Sequence, residues 1–329
     1  MKIADMHCDT ISRLYDLRVS GRKGETLAAN CGHLDLGRMK KGGYVLQNFA
    51  LFTQMTKVTD PFAHCMDLLS LFYEEMERNR AVIRPAVTGG QVQENLKAGL
   101  MTAFLTVEEG GVCGGNLDKL KLFYDRGVRM MTLTWNYENE LAFPNRIDWS
   151  TGRCVPETER GLKPAGIRFV EEMNRMGMVI DVSHLGDKGI DDVLRLSKRP
   201  VAASHSNARS LASHPRNLKD DHVRAIAEGG GIIGVNFCAA FLRDWRPGER
   251  RGSRLEDITA HMRRLADLGG ADAVALGTDF DGITDELEAD GAGDMGLLED
   301  AMRRRGFSSS EIDGICSGNV LRFYSENFT

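Results

Sequence analysis

Apolar segments of strand length alternate with amphipathic helical segments along almost the entire chain. Eight apolar segments stand out: IADMHCD at 3–9, YVLQNFALF at 44–52, TAFLTVEE at 102–109, VRMMTLTW at 128–135, MVIDVSH at 178–184, PVAASH at 200–205, GIIGVNF at 231–237 and AVALGTD at 273–279. Continuous apolar runs are typical of parallel strands that are buried on both faces. Because strands that alternate with helices form parallel sheets, the pattern predicts an α/β fold.

The number of strand–helix units indicates how this sheet is arranged. Eight units in 329 residues favour a closed (β/α)8 barrel of the TIM type over an open, doubly wound sheet. No G-x-G-x-x-G opens a helix after the first strand, so the dinucleotide-binding alternative lacks its motif. We predict a single barrel domain over residues 1–329, with the last segment, FSSSEIDGICSGNVLRFYSE, forming one or two helices packed on the barrel.

Residues of the types that bind metals stand where these predicted strands end. In a barrel, the C-terminal ends of the strands meet at one face, and the catalytic sites of this fold lie there. Histidine and carboxylate side chains gathered at one face predict a metal-dependent hydrolase. The residues are His7, Asp9, Glu108, His184, His205 and Asp279.

The spacing of these residues in the sequence indicates which way some of their side chains point. His7 and Asp9 lie two residues apart on a strand, so both would face the same side. Glu108 and Glu109 would face opposite sides, so only one can point into the barrel mouth, where a carboxylate can bridge two metals. Asp279 has no obvious charge partner in the sequence and suits proton transfer.

One arginine, one cysteine and the remaining five histidines lie outside this set. Arg216 lies in the loop after the sixth strand, where a guanidinium above a cationic site can bind an anionic group bidentately. Cys8 is expected to be a small buried hydrophobe that points away from its neighbours. Surface or structural roles are expected for His33, His64, His214, His222 and His261.

Composition excludes several other classes of function. A formal net charge of −5 offers no electrostatic surface for nucleic acid or an anionic membrane, and the basic stretch at 243–254 is interrupted by Pro and Gly. Seven cysteines without a C-x-x-C motif favour a reducing compartment over a disulfide framework. No apolar stretch approaches the length of a membrane span or a signal peptide. We expect a cytoplasmic protein that binds neither nucleic acid nor membrane.

The motifs at the strand ends resemble those of the membrane (renal) dipeptidase family of zinc peptidases. The similarity rests on HCD, VEEGG, MTLTWN, VIDVSH, ASHSNARSLASHPRNL, GTDFDG and GNVLRF, which follow one another from residue 3 to about residue 324. The resemblance implies a (β/α)8 barrel with two Zn²⁺ per chain, in a homodimer.

Matched motif by motif, the resemblance also implies a role for each candidate. Asp279 would be the acid/base residue, and Arg216 would bind the C-terminal carboxylate of the substrate. Glu108 is chosen over Glu109 because the spacing to MTLTW then needs no gap. The implied metal ligands are His7 and Asp9 for one zinc, His184 and His205 for the other, and Glu108 as the bridge between them.

Two positions depart from the family pattern. Trp135 stands directly after MTLT, where family members often carry a histidine that stabilises the tetrahedral intermediate, and Asn136 or Tyr137 could donate hydrogen bonds in its place. Phe241 stands where some members have a tyrosine near the carboxylate pocket. We expect Trp135, Asn136 and Phe241 to contact the substrate and to alter its selection without altering the metal chemistry.

The expected activity is zinc-dependent hydrolysis of dipeptides. A hydroxide shared by two metals would attack the scissile carbonyl, because coordination lowers the pKa of water to about 7. The resemblance further implies tolerance of a D-residue at the C-terminal position. One alternative is hydrolysis of N-acyl amino acids or lactones at the same site. Another is a degenerate barrel that serves only as a binding or scaffold protein, against which the complete ligand set and Asp279 argue.

Overall fold

The computed structural model describes residues 1–22, 24–148, 150–151, 153–246 and 248–328. Within these ranges the chain forms the following strands: β1 Ile3–Asp5, β2 Tyr44–Phe52, β3 Ile83–Pro85, β4 Met101–Glu108, β5 Val128–Thr132, β6 Arg146–Asp148, β7 Arg153–Val155, β8 Val179–Asp181, β9 Ala202–Ala203, β10 Ile232–Val235 and β11 Val274–Leu276.

Eight of these strands close into a parallel barrel. Their order is β2–β1–β11–β10–β9–β8–β5–β4, and β4 pairs back with β2 along its length, from Leu46↔Thr102 to Phe52↔Glu108. The predicted (β/α)8 barrel is therefore confirmed. The sequence pattern missed β3, a short strand that pairs in parallel with the first residues of β4.

Helices surround the barrel and follow most of its strands. Asp60 accepts a hydrogen bond from the backbone N–H of Ala63 at the start of the longest helix, and Gly177, with φ of 77°, ends another. The helices are α1 Thr10–Val19, α2 Leu36–Gly42, α3 Pro61–Arg78, α4 Gly89–Lys97, α5 Leu117–Asp125, α6 Pro164–Met176, α7 Asp187–Leu196, α8 Asp220–Glu228, α9 Ala239–Leu242, α10 Leu255–Gly269, α11 Met295–Arg304, α12 Ser309–Asp313 and α13 Asn319–Asn327.

Most barrel strands end earlier than the apolar segments that predicted them, and β2, which ends at Phe52, is the exception. β1 ends at Asp5, β8 at Asp181 and β9 at Ala203, so the predicted ligands that follow these three strands lie two to four residues beyond them. The prediction that His7 and Asp9 lie on a strand is therefore wrong, since Asp9 is already the residue that precedes α1. Backbone turns, rather than strand alternation, aim these side chains.

The long loop predicted at 136–157 contains structure that its composition did not reveal. β6 and β7 pair antiparallel within it, from Arg146↔Val155 to Asp148↔Arg153. Asn145 anchors the base of this hairpin, because its side-chain amide donates to the backbone oxygens of Leu185 and Pro215. The hairpin is thereby tied to the loops that follow β8 and β9.

The N-terminal end of the barrel is closed by aromatic side chains of α13 and of Phe328, the residue that follows it. Tyr324 and Phe328 pack on Phe104 of β4, with ring centroids 4.3 and 4.9 Å apart respectively. The Tyr324 hydroxyl exchanges hydrogen bonds with the side chain of Asn48 on β2. The candidate functional site lies at the opposite, C-terminal end of the barrel. Across the described ranges, every helix is too short or too polar to cross a lipid bilayer.

Candidate metal centre

His7 lies at the middle of a group of carboxylates at the C-terminal mouth of the barrel. Its Nε2 atom is 3.3 Å from Glu108 Oε2, 3.4 Å from Asp9 Oδ2 and 3.8 Å from Asp279 Oδ1. Its ring stacks on that of His205, with centroids 3.8 Å apart. Glu108 is the last residue of β4, and the others follow the C-terminal ends of β1, β9 and β11, so the structure brings these predicted side chains together at one face of the barrel.

His184 and His205 form the other half of the group. Their Nε2 atoms lie 2.9 Å apart, and Glu108 Oε1 lies 3.0 Å from His184 Nε2 and 3.6 Å from His205 Nε2. The two oxygens of Glu108 are thus divided, one toward His7 and the other toward the two remaining histidines. Both ring nitrogens face the same oxygen from neighbouring strands.

The donor atoms at this centre have the chemistry that a divalent cation requires. His7 Nε2 and Asp9 Oδ1 are buried and have no hydrogen-bond partner among the residues that the structure describes. Ligand atoms lie within 4.8 Å of one another in two overlapping sets, His7–Glu108–His205 and His7–Asp9–Asp279. Imidazole nitrogens combined with carboxylate oxygens are the ligands of zinc in hydrolytic sites.

Glu109 turns away from this centre. Its φ of 98° reverses the backbone directly after β4, and its carboxylate accepts hydrogen bonds from the backbone N–H groups of Trp135 and Gly111 and from Asn139 Nδ2. Burial raises the pKa of Glu109 to about 7. The structure therefore places Glu108 among the donor atoms, and Glu109 holds the loop after β5.

Burial moves the pKa values of the central groups in opposite directions. It raises the pKa of Asp9 to about 6 and that of Asp279 to about 7, and the negative charge of Glu108 adds to both shifts. It lowers the pKa of His184 to about 4 and holds that of His205 well below its usual value. Both rings are therefore neutral near pH 7, which is the form that binds metals.

Asp279 is held by contacts that the sequence did not indicate. Its Oδ2 accepts a hydrogen bond from Asn236 Nδ2 at 2.9 Å, and its backbone has a φ of 64°. Gly282 lies against it, and a Cβ atom there would approach Asp9 Oδ2 to 2.1 Å and Asp279 Oδ1 to 2.5 Å. Only glycine fits here without displacing both carboxylates.

A cavity of about 440 Å³ opens above the metal centre. Arg216 lines it, is 6% exposed, and has an Nε atom without a hydrogen-bond partner among the described residues. Its guanidinium lies 5.4 Å from the ring centroid of Phe241. Trp135 and Asn136 also line the cavity, so all four predicted substrate-binding residues border the same space.

Trp135 and Phe241, the two departures from the family pattern, both line the cavity and contribute to its apolar wall. The ring of Trp135 packs on Phe52, with centroids 4.9 Å apart, and lies 6.1 Å from the ring of His184. Asn136 Oδ1 lies 2.8 Å from His184 Nδ1, so this side chain contacts a predicted ligand as well as the cavity. Charged residues of α1, Arg13 and Asp16, border the opening.

The five remaining histidines make contacts outside the donor group. His33 pairs with Asp281, His64 with Thr53, and the ring of His214 lies against Phe241. His222 and His261 are 2% and 0% exposed, which shows that their helical segments bury them. Cys8 is also buried, and its thiol lies 3.3 Å from the backbone oxygen of Asn48.

Comparison with known proteins agrees with this geometry. The family model described as membrane dipeptidase (peptidase family M19) matches residues 1–328. The chain belongs to the membrane dipeptidase family. The predicted resemblance is thereby confirmed, and with it the coarser expectation of a metal-dependent hydrolase of the dipeptidase class.

Individual relatives cover most of the chain. An uncharacterized protein in the pqqA 5′ region of Klebsiella pneumoniae is 34% identical over 266 residues, which is 80% of this chain and 96% of the relative. An uncharacterized dipeptidase of Schizosaccharomyces pombe is 29% identical over 357 aligned residues, covering 99% of this chain and 80% of the relative. Both relatives extend the similarity well beyond the site motifs.

A solved structure resembles this membrane dipeptidase family member over its whole length. It is a metallo peptidase from Rhodobacter sphaeroides liganded with a phosphinate mimic of the dipeptide L-Ala-D-Ala. The TM-score is 0.90 at 27% identity, and the match covers 100% of this chain and 99% of the other. The barrel and its loops therefore share one arrangement in the two proteins.

Proposed function

We propose that this protein is a dipeptidase that uses two Zn²⁺ ions per chain. The observation that carries the proposal is the position of Glu108, whose Oε2 faces His7 while its Oε1 faces His184 and His205. A buried carboxylate with imidazoles on both sides suits a ligand shared by two cations.

On this proposal each half of the centre holds one ion. His7 and Asp9 would bind the first, His184 and His205 the second, and Glu108 both. Divalent cations bound there would supply an activated water and a Lewis acid for the scissile carbonyl. His7 Nε2 and Asp9 Oδ1 support this assignment, because both are buried and neither makes a hydrogen bond to the residues described, although His7 Nε2 lies 3.3 Å from Glu108 Oε2.

Asp279 would move the proton of the reaction. Its Oδ2 is held by Asn236, while its Oδ1 faces the centre beside His7. Because burial raises its pKa to about 7, the side chain can accept and release a proton near neutral pH. It would take a proton from the nucleophilic water and give it to the leaving amine.

Arg216 would select short peptides with a free C-terminus. Its guanidinium is buried and makes no direct ion pair among the residues described, although the carboxylates of Asp279 and Glu108 lie near enough to attract it. A substrate carboxylate would supply a direct, bidentate partner, and the cavity of about 440 Å³ suits a dipeptide. The dipeptide mimic bound by the Rhodobacter sphaeroides protein supports substrates with a D-residue at the C-terminal position.

A substrate panel tests the reaction class. The zinc-loaded protein would be assayed against L,L-dipeptides, L,D-dipeptides, N-acyl amino acids and lactones, with a chelator-treated sample as control. We expect dipeptides to be hydrolysed with the highest kcat/KM and the chelator to abolish activity. Faster turnover of N-acyl amino acids or lactones would assign the alternative reaction, and undiminished activity after chelation would refute a metal-dependent mechanism.

A second test concerns the role of Arg216. Because the arginine would bind a group present in both ground and transition states, Arg216→Met should act chiefly through KM. Amidation of the substrate's C-terminus should weaken hydrolysis by the wild type strongly and by the variant little. Equal losses in both proteins would show that another group binds the carboxylate.

A further inference from the structure

The two histidines in the second half of the centre are held at Nδ1 by different kinds of partner. His184 Nδ1 lies 2.8 Å from the side-chain oxygen of Asn136, and His205 Nδ1 lies 2.7 Å from Ser204 Oγ. A neutral imidazole carries its proton on one nitrogen only, and only the other nitrogen can bind a metal. The partner at Nδ1 therefore affects whether Nε2 is available.

Asp181, at the end of β8, determines the direction of the Ser204–His205 hydrogen bond. Its carboxylate is 1% exposed and receives four contacts. The backbone N–H groups of Ser183 and Ser204 donate to Oδ1 at 3.0 and 2.9 Å. The hydroxyls of Thr132 and Ser204 lie 2.8 and 2.5 Å from Oδ2. An ionised carboxylate satisfies all four donors at once.

The Ser204 hydroxyl has a single proton and two near neighbours, Asp181 Oδ2 at 2.5 Å and His205 Nδ1 at 2.7 Å, whereas Ser183 Oγ lies farther away, at 3.4 Å. If that proton is donated to Asp181, Ser204 Oγ can only accept a hydrogen bond from His205, so the imidazole proton must reside on Nδ1. The Nε2 atom of His205 is then left with a free lone pair, directed at Glu108 Oε1 and His184 Nε2. Asn136 cannot impose the same order on His184 by itself, because an amide can present either its oxygen or its nitrogen.

We propose that Asp181 and Ser204 are positioning residues that hold His205 in the Nδ1–H tautomer and so present its Nε2 to the metal. The inference rests on the proposed function, since it assumes that His205 is a ligand. Outer groups that orient a ligating histidine in this way typically contribute about 10–100-fold to metal affinity. Neither residue touches the cavity above the centre, so both would act only through His205.

We call the two hydrogen bonds that link His205, Ser204 and Asp181 the relay. The substitution Asp181→Asn should reverse their direction. An amide has one acceptor oxygen and an NH2 group that only donates. If its oxygen meets the two backbone N–H groups, its NH2 group faces Thr132 and Ser204, whose hydroxyls must then accept. Ser204 would donate its proton to His205 Nδ1, which moves the imidazole proton to Nε2 and blocks metal binding there.

Thr132→Val provides a matched control. Thr132 donates to the same oxygen of Asp181 as Ser204 does and is equally buried in the barrel, but none of its hydrogen bonds reaches a histidine. Loss of its hydroxyl perturbs Asp181 without interrupting the path to His205. A merely structural role for this buried network would therefore make Thr132→Val and Ser204→Ala alike.

The experiment combines zinc affinity with the tautomer of His205. Full-length wild type, Asp181→Asn, Ser204→Ala and Thr132→Val would be stripped of metal and titrated with zinc against a competing chelator. The imidazole nitrogens would be observed by ¹⁵N NMR in the metal-free proteins. We expect Ser204→Ala and Asp181→Asn to weaken zinc binding by about 10–100-fold and Thr132→Val to bind as the wild type does. His205 should be Nδ1–H in the wild type and Nε2–H in Asp181→Asn.

Several outcomes would overturn the inference. An Nε2–H tautomer of His205 in the wild type would do so without any variant. Equal zinc affinities in Ser204→Ala and Thr132→Val, whether both weakened or both unchanged, would show that no directional relay exists. If the wild type binds no zinc, the proposed function fails instead, and the tautomer measured in the wild type and in Asp181→Asn still decides the relay.

Discussion

At the scale of single residues, one backbone turn places the adjacent carboxylates of Glu108 and Glu109 in different environments. β4 ends at Glu108, whose carboxylate lies between three imidazoles. The positive φ of Glu109 turns its side chain away, and its carboxylate accepts hydrogen bonds from the backbone N–H of Gly111 and, in the loop after β5, from the backbone N–H of Trp135 and from Asn139 Nδ2. One carboxylate is therefore available to metals, while the other is satisfied by the protein itself.

This difference predicts distinct effects of two matched substitutions. Glu108→Gln should lower the occupancy of both metal positions from close to two zinc equivalents, because it removes the shared ligand. Glu109→Gln should leave the zinc content unchanged but reduce the free energy of unfolding by about 1–3 kcal/mol, because an NH2 group would face backbone donors. Metal analysis and urea unfolding measure the two effects. Zinc loss in Glu109→Gln alone would show that the bridging ligand has been assigned one residue too early.

Asp279 should separate proton transfer from metal binding. Asp279→Asn keeps the shape of the side chain but cannot carry a proton, so kcat should fall by about 10²–10⁴-fold while two zinc equivalents stay bound. Steady-state kinetics and metal analysis on one preparation measure both quantities. A variant that retains nearly full kcat would assign the proton transfer to another group.

At the scale of elements, α10 joins the loops around the site through a buried histidine. His261 Nδ1 accepts a hydrogen bond from the backbone N–H of Ala208 in the loop after β9, and its Nε2 donates to the backbone oxygen of Leu242 at the end of α9. Burial lowers the pKa of His261 to about 4. The contact needs one ring nitrogen as acceptor, so it exists only while the ring is neutral.

This pKa shift predicts a pH dependence of stability. Because the unfolded chain binds a proton at His261 below pH 6.5 and the folded chain does not until about pH 4, the contribution of this group is lost as the pH falls from 6.5 toward 4. Between pH 7 and pH 5 the wild type should lose about 2 kcal/mol more unfolding free energy than His261→Gln, which does not titrate. Urea unfolding of both chelator-treated proteins at the two pH values measures this difference. Equal losses of unfolding free energy in the wild type and in His261→Gln would mean that His261 is already protonated in the folded state or that the structure around it opens readily.

At the scale of the whole molecule, the two ends of the barrel have different tasks. The C-terminal mouth gathers the buried carboxylates and imidazoles, together with the unpartnered atoms that fit a cation. The other end is packed with Phe104, Tyr324 and Phe328 and carries the Tyr324–Asn48 hydrogen bonds. In barrels of this type, chemistry resides at the mouth and stability at the opposite face.

Tyr324→Ala should therefore affect stability and not chemistry. Removing a buried aromatic side chain leaves a cavity, and the change should lower the free energy of unfolding by about 3–5 kcal/mol. The kcat and zinc content of the folded variant, measured below its unfolding transition, should equal those of the wild type. A large fall in kcat at full folding would indicate that α13 also transmits strain to the mouth.

The sequence by itself determined the barrel and the set of side chains at its mouth. Apolar runs and helical periodicity are local signals, and in a parallel barrel the strand ends must meet at one face, so the convergence of His7, Glu108, His205 and Asp279 followed from their positions along the chain. Motif similarity from residue 3 to about residue 324 added the family, which the comparisons bear out.

Only the tertiary structure decided which atoms touch. Strands β3, β6 and β7 contain charged residues and are largely exposed or half-buried, so no apolar run marks them in the sequence. The turns at Glu109 and Asp279 depend on contacts with distant segments. Asp181 looked like one more residue of an apolar strand, yet it binds Thr132 and Ser204, residues 49 and 23 positions away. The directions of buried side chains and of their hydrogen bonds are set by such long-range packing, which no local pattern in the sequence records.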